Sequence, residues 1–272
     1  MSDRRTTPAN ARVALFGHAS NGQTEVAAIE ASVSKPVADL RRAPNGARDR
    51  QLLMGERFEV LERHQGWAFG RAARDGYVGY IAEGDLGFPF QPTHFISARA
   101  SHLYPKDDFK SEAGEAISFG TQICVVDERR KFVETDTGHF VPKAHVRLKA
   151  RPFSDPVPVA QLFFGAPYLW GGNSSFGIDC SGLVQASLLA CDIACPGDSD
   201  QQMSVGQDVF GSAFARGDLL FWKGHIAICV DDETLIHANA HHMAVAYEPI
   251  AKAIARIEAQ GDGPLTGHRR FS

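Results

Sequence analysis

The pattern of apolar and polar positions changes near residue 150. Before it, short runs rich in β-branched and aromatic residues are broken by Gly, Asp and Asn. The stretch RFEVLERHQGWAFGRAARDGYVGYIAEGDL (57–86) reads as a strand, a tight turn at His64–Gly66, the strand WAFGRA, a turn at Arg74–Gly76 and the strand YVGYI. A looser version follows at 116–148, with strands QICVVDE and KFVETD, a turn at Thr137–Gly138, then HFVPKAHVRL. The shared order predicts an internal duplication of small all-β barrels rather than βαβ units.

Between 149 and 158, KARPFSDPVP holds three prolines and few apolar side chains, which predicts a linker. Beyond it the pattern is α+β. DPVPVAQLFFGAP predicts a short helix capped near Asp155, and DCSGLVQASLLACDI a helix with Leu183, Val184, Ala186, Leu188 and Leu189 on its apolar positions. GDLLFWKGHIAICVDDETLIHANA then predicts a strand pair, with a further strand around MAVAYEPI. A cysteine-bearing helix followed by an antiparallel sheet bearing histidines is the layout of a papain-like thiol hydrolase. The expected segments are an extension (1–23), a first barrel (24–88), a second barrel (89–150), a linker (151–158) and a catalytic domain (159–272).

Composition narrows the partners. The 272 residues are 44% hydrophobic and 22% charged, ordinary for a globular chain, with a net charge of −4. That charge argues against nucleic acid or an anionic membrane. DRR near the start and RRAPNGARDR (41–50) are short basic runs that predict solvated loops. No run reaches the roughly 20 apolar residues of a membrane helix. The N-terminal apolar piece VALF, followed by His18 and Asn21, is too short for a secretory signal, so a cytoplasmic protein is expected. The five cysteines, at 124, 180, 191, 195 and 229, are then expected as free thiols. Cys124 and Cys229 alternate with Val and Ile as strand core, and Cys191 and Cys195 fall on an apolar helical face. HANAHH (His237, His241, His242) invites a metal, but the cysteines lack histidines at ligand spacing, so no metal is expected.

The chemistry gathers at Cys180. A helix N-terminus lowers a thiol's pKa through its unpaired N–H groups, and Ser181 and Gly182 keep the first turn open to a carbonyl. His225, opening the strand HIAICV, is the candidate base. His237, closing TLIHANA, can hold its other nitrogen and fix its tautomer.

PYLWGGNSSFGIDCSGLVQASL, GDLLFW…HIAICV and LIHANA, in that order, resemble the NlpC-type papain-like cell-wall cysteine peptidases over about 155–272. The two preceding segments resemble bacterial SH3-like domains, an arrangement similar to γ-D-glutamyl-L-diamino-acid endopeptidases. The resemblance implies Cys180 as nucleophile, His225 as base, His237 as third polar member and Tyr168 as oxyanion donor beside the Cys180 N–H. It implies Trp170 on the cleft wall, and Asp198 with Ser199 holding the free α-amino group of the substrate's L-alanine. Gly197 stands where relatives carry arginine. In relatives the first barrel closes that pocket with an aromatic hydroxyl and an acid, for which Tyr77, Tyr80 and Glu83 are available and Tyr80 is favoured. Asp179 is expected as helix N-cap, with substrate contact by it and Ser181 as a second role.

The expectation is a cofactor-free thiol peptidase acting on murein-derived peptides with a free N-terminal L-alanine. It would cut between γ-linked D-glutamate and meso-diaminopimelate or L-lysine. Two other readings stay open. One is another thiol hydrolase, an amidase or acyltransferase, against which the acidic GDSD argues. The other is a non-catalytic peptidoglycan-binding protein. Oligomeric state is left open by the sequence.

Overall fold

The computed structural model describes residues 3–20 and 22–271. Residues 1, 2, 21 and 272, which fall in the expected extension and at the end of the expected catalytic domain, lie outside the described residues. The chain divides into two compact units, 1–151 and 152–272.

In the N-terminal unit the predicted meander forms from Arg57–His64, Trp67–Ala72 and Val78–Ala82. Gly66 and Gly76 turn it with φ of 79° and 73°, a region costly for residues with a Cβ. These strands belong to a seven-stranded sheet ordered 48–53, 37–41, 78–82, 67–72, 57–64, 29–33, 86–87. Alternate residues, among them Leu40, Leu52, Phe58, Val60 and Ile81, point into one buried cluster. The two end strands do not pair, so among the described residues no closed barrel forms. The expected solvated loop at 41–50 is corrected as well. It is a hairpin between Val37–Arg41 and Arg48–Leu53, and Arg50 is only 1% exposed. Charged residues on a strand need not face water when the long side chain can lie along its neighbours.

The segment 94–148 repeats part of this series in smaller sheets. Val125–Glu128, Phe132–Thr135 and Phe140–Pro142 make a second meander, with a core of Ile96, Ile117, Ile123, Val133 and Val141. Each meander ends in a single 3-10 turn, Glu83–Asp85 or Lys143–His145, and a short strand.

The C-terminal unit has a six-stranded antiparallel sheet ordered Gln207–Asp208, Gly267–Arg270, Leu219–Trp222, His225–Cys229, Thr234–Asn239, Ala244–Pro249. Helix α1 (Pro156–Leu162) begins inside the stretch expected as linker, capped by Asp155, whose carboxylate accepts from Val157 N at 2.8 Å. Helix α2 (Cys180–Leu189) packs on the strand His225–Cys229. Cys191 and Cys195 fall beyond its end, in a turn where Asp192 has φ 60°, and not on a helical face. Cys229 is strand core, whereas Cys124 lies half-buried between two short strands. The described cysteines are all free. A short α3 (Ser199–Gln202) follows, and α4 (Ile250–Ala259) covers Leu220, Trp222, Ala227, Cys229 and Leu235 with Ile250, Ala253 and Ile257. No helix among the described residues is long and apolar enough to cross a membrane.

Candidate active site

Cys180 is the first residue of α2 and 6% exposed. Asp179 caps the helix. Its Oδ1 accepts from Gly182 N at 2.6 Å and Ser181 Oγ at 3.0 Å, and its Oδ2 from Gly171 N at 2.9 Å. Both oxygens are thus engaged within the chain, and Asp179 and Ser181 are buried. The geometry gives Asp179 the expected role of helix cap, with Ser181 bonded to it. Gly182 is required here, since a Cβ on it would stand 2.4 Å from the Gly172 carbonyl oxygen. Gly172 is pressed in turn, with a Cβ position 2.5 Å from the Gly177 oxygen. The first turn of α2 therefore sits backbone to backbone on the 171–172 loop.

The sulfur lies 4.0 Å from the carbonyl oxygen of Gly224, the residue before His225. His225 Nε2 and His237 Nδ1 are 2.9 Å apart. His237 is fully buried, and its Nε2 lies 3.3 Å from Glu248 Oε2, within ion-pair range but short of hydrogen-bond geometry. Arg256 on α4 clamps Glu248 from the other side, Nε donating to Oε1 at 2.9 Å and Nη2 to Oε2 at 2.7 Å.

This chain of contacts sets the proton positions. The hydrogen bonds from Arg256 hold the Glu248 carboxyl below its usual range, so Glu248 only accepts. His237 then carries its proton on Nε2 and accepts at Nδ1, and His225 donates from Nε2. The lone pair left on His225 is that of Nδ1. Burial depresses His225 to about 4, helped by Arg256 and opposed by Glu248, so the imidazole rests neutral. Burial, then the neighbouring His225, depress His237 as well.

Tyr168 is half-buried, fixed by its N–H donating to Met243 O at 2.9 Å and by a bridge to Ile178. Burial pushes its phenol up, with Cys180 and Asp179 adding to the shift, so it remains an O–H donor. With His225 it lines a cavity of about 180 Å³. Asp198 is the N-cap residue of α3, and Ser199 is its first residue; both are half-buried. Buried Gln202 ties that segment to the nucleophile's helix, its Nε2 donating to Ser181 O at 3.0 Å and Pro196 O at 2.9 Å. Trp170 is 70% exposed. Tyr80 and Glu83 belong to the N-terminal unit. There Tyr80 meets Phe69 with tilted rings 4.9 Å apart, and Glu83 pairs with Arg63 at 3.1 Å.

Sequence reasoning missed Glu248, Arg256 and α4. Ile250, Ala253, Ile254 and Ile257 recur at helical spacing, and Glu248 shares the alternating face of Ala246, which pairs with His237, so that Glu248 is its diagonal neighbour. His237, His242 and Glu248 place ligand atoms within 4.8 Å of one another. With both Glu248 oxygens on Arg256, a cation there would face a guanidinium, so the group reads as an ion pair with a histidine partner.

Comparison with known proteins gives the family and the fold. Residues 165–258 match the NlpC/P60 family, and residues 40–86 the bacterial dipeptidyl-peptidase Sh3 domain. A gamma-D-glutamyl-L-lysine dipeptidyl-peptidase of Bacillus cereus (strain ATCC 10987 / NRS 248) is 24% identical over 234 residues, covering 74% of this chain and 70% of its own. The protein of that name from Bacillus subtilis (strain 168) is 28% identical over 220 residues, 69% of this chain and 71% of its own. The probable endopeptidase NlpC of Escherichia coli (strain K12) is 32% identical over 116 residues, 37% of this chain and 72% of its own. In fold, the crystal structure of a NlpC/P60 family protein from Bacillus cereus ATCC 10987 superposes with a TM-score of 0.75 at 20% identity, over 89% of this chain and 99% of that one.

Proposed function

Because the chain belongs to the NlpC/P60 family of cysteine peptidases, we propose that it hydrolyses the γ-D-glutamyl–diamino acid bond of murein peptides that carry a free N-terminal L-alanine. The observation that carries this reading is Cys180 at the capped start of α2 beside the hydrogen-bonded His225–His237 pair. The names of the Bacillus relatives support the bond.

The thiol proton passes to His225 Nδ1, and the thiolate attacks the γ-carbonyl carbon. The oxyanion is met by the Tyr168 hydroxyl and the Cys180 N–H at the positive end of α2. The imidazolium, held through His237, gives its proton to the departing amine and leaves a thioester. Water then attacks the thioester with His225 as base, releasing L-Ala-D-Glu and the free thiol. Asp198, with Ser199 beside it, takes the substrate's α-ammonium, a pairing that an N-acetylated peptide cannot make. Segments 24–88 and 89–150 we read as two SH3-like folds, the first supported by the family match at 40–86. A cytoplasmic role in recycling murein peptides suits the free thiols.

The test compares L-Ala-γ-D-Glu-meso-diaminopimelate with its N-acetylated form, using wild type and Cys180→Ala. Cleavage of the free-amine peptide alone is expected. Loss of the nucleophile should lower its turnover by about 10⁴-fold or more. Equal cleavage of both peptides would remove the amino-group pocket from the reading, and turnover by Cys180→Ala would remove the nucleophile.

A further inference from the structure

The cavity beside His225 is not accounted for by the amino-group pocket. Its walls include Tyr168 and His225, the two residues assigned to the oxyanion and to the departing amine, so it opens where the leaving group goes. The sheet order puts it on the leaving-group side. Met203, just after α3, touches Gly267 on the strand Gly267–Arg270, to one side of the His225 strand. Asn239 and His241 lie at the end of the strand Thr234–Asn239, on the other side. With Asp198 holding the α-ammonium as proposed, the part of the peptide beyond the scissile bond is left for this side.

The lining is polar and carries an unusual charge set. Lys223 is exposed in the turn before His225 and has no ion pair or hydrogen bond among the described residues. Arg256 and His241 line it as well, and Asp262 is the one carboxylate among the described lining residues. Arg256 is already balanced by Glu248, so the uncompensated cation is Lys223. The volume, about 180 Å³, is below the ~300–1,000 Å³ of sites that enclose a whole small molecule, and suits the end of one residue.

Resting on the proposed reaction, we infer that this cavity is the subsite for the diamino acid and that it reads a carboxylate beside an ammonium at the end of that residue's side chain. Lys223 receives the carboxylate, and Asp262 receives the ammonium. A side chain ending in both groups, as in meso-diaminopimelate, satisfies the set. L-Lysine, ending in an ammonium alone, leaves Lys223 facing a second cation.

The experiment measures kcat/KM for L-Ala-γ-D-Glu-meso-diaminopimelate and L-Ala-γ-D-Glu-L-Lys with wild type, Lys223→Glu and Lys223→Ala. Each ratio is taken within one variant, so a loss of folded protein cancels. Wild type is expected to favour the diaminopimelate peptide roughly tenfold or more, the worth of a charge-assisted hydrogen bond. Lys223→Ala should reduce that ratio and Lys223→Glu should bring it to one or below. Equal use of both peptides by wild type, or a ratio that survives Lys223→Glu, overturns the subsite while leaving the bond specificity standing. Failure to cut either peptide overturns the proposed reaction and this subsite with it.

Discussion

Two groups beside the C-terminal sheet each join a carboxylate, an arginine and a buried histidine. Asp218 accepts from Arg270 at 2.7 Å through each of its two oxygens, and meets His268 Nε2 at 2.6 Å. Glu248 accepts from Arg256 at 2.9 and 2.7 Å, and meets His237 Nε2 at 3.3 Å. The difference lies in the far side of each imidazole. His268 Nδ1 has no hydrogen-bond partner among the described residues, so that chain of contacts stops. His237 Nδ1 continues to His225. Composition alone therefore does not make a carboxylate–histidine pair part of a reaction. One group pins neighbouring strands, and the other hands its orientation on to the base.

Removing the carboxylate from each group should separate these roles. Asp218→Ala leaves Arg270 and His268 without their acceptor and should cost about 3–5 kcal/mol of stability, read from denaturant midpoints, while kcat per folded molecule holds. A matching fall in kcat would place Asp218 in the reaction. Glu248→Gln should lower kcat about 10–100-fold with little change in KM. Glu248 also raises the pKa of His225 against Arg256, so its removal should move the acid limb of the kcat/KM profile to lower pH. A purely structural role would lower kcat without moving that limb.

The smallest effect is on the acid stability of the wild type. Burial pushes Asp218 up, but hydrogen bonds from Arg270 and His268 prevail and hold it below the usual range. A carboxyl lower in the folded than in the unfolded chain contributes stability above the unfolded value of about 3.9, and loses it as pH falls through the folded one. Melting temperature should therefore drop below about pH 4, and Asp218→Asn should flatten that part of the curve.

Much of this was legible from local rules. The meander at 57–86 shows in alternation and in glycines at its turns, and α2 in the cap-and-helix pattern after Asp179. Cys180 and His225 open their elements, where a side chain can leave its own layer, whereas His237, expected to close its strand, lies buried inside Thr234–Asn239. Other features depend on tertiary context. Arg50 reads as solvated because charge dominates its neighbourhood, yet the sheet buries it. Whether strands close into a barrel depends on pairing between distant ends, which no short period encodes. Glu248 and Arg256 stayed hidden because each is ordinary within its own strand or helix. Their meaning comes from α4 folding back on the sheet beneath His237.

The backbone contact of Gly182 with Gly172 bears on how such an enzyme can change. The sulfur takes its position from main chain resting on main chain, with the Asp179 carboxylate tying the two together. Residues on the surrounding walls can then be exchanged for others that suit a different peptide without displacing the nucleophile. A methyl group at Gly182 would strike the Gly172 carbonyl, and one at Gly172 the Gly177 carbonyl, so there is no slack at either glycine. Variation should therefore concentrate at wall positions such as Lys223 and Asp262, and pass over the two glycines that seat the helix.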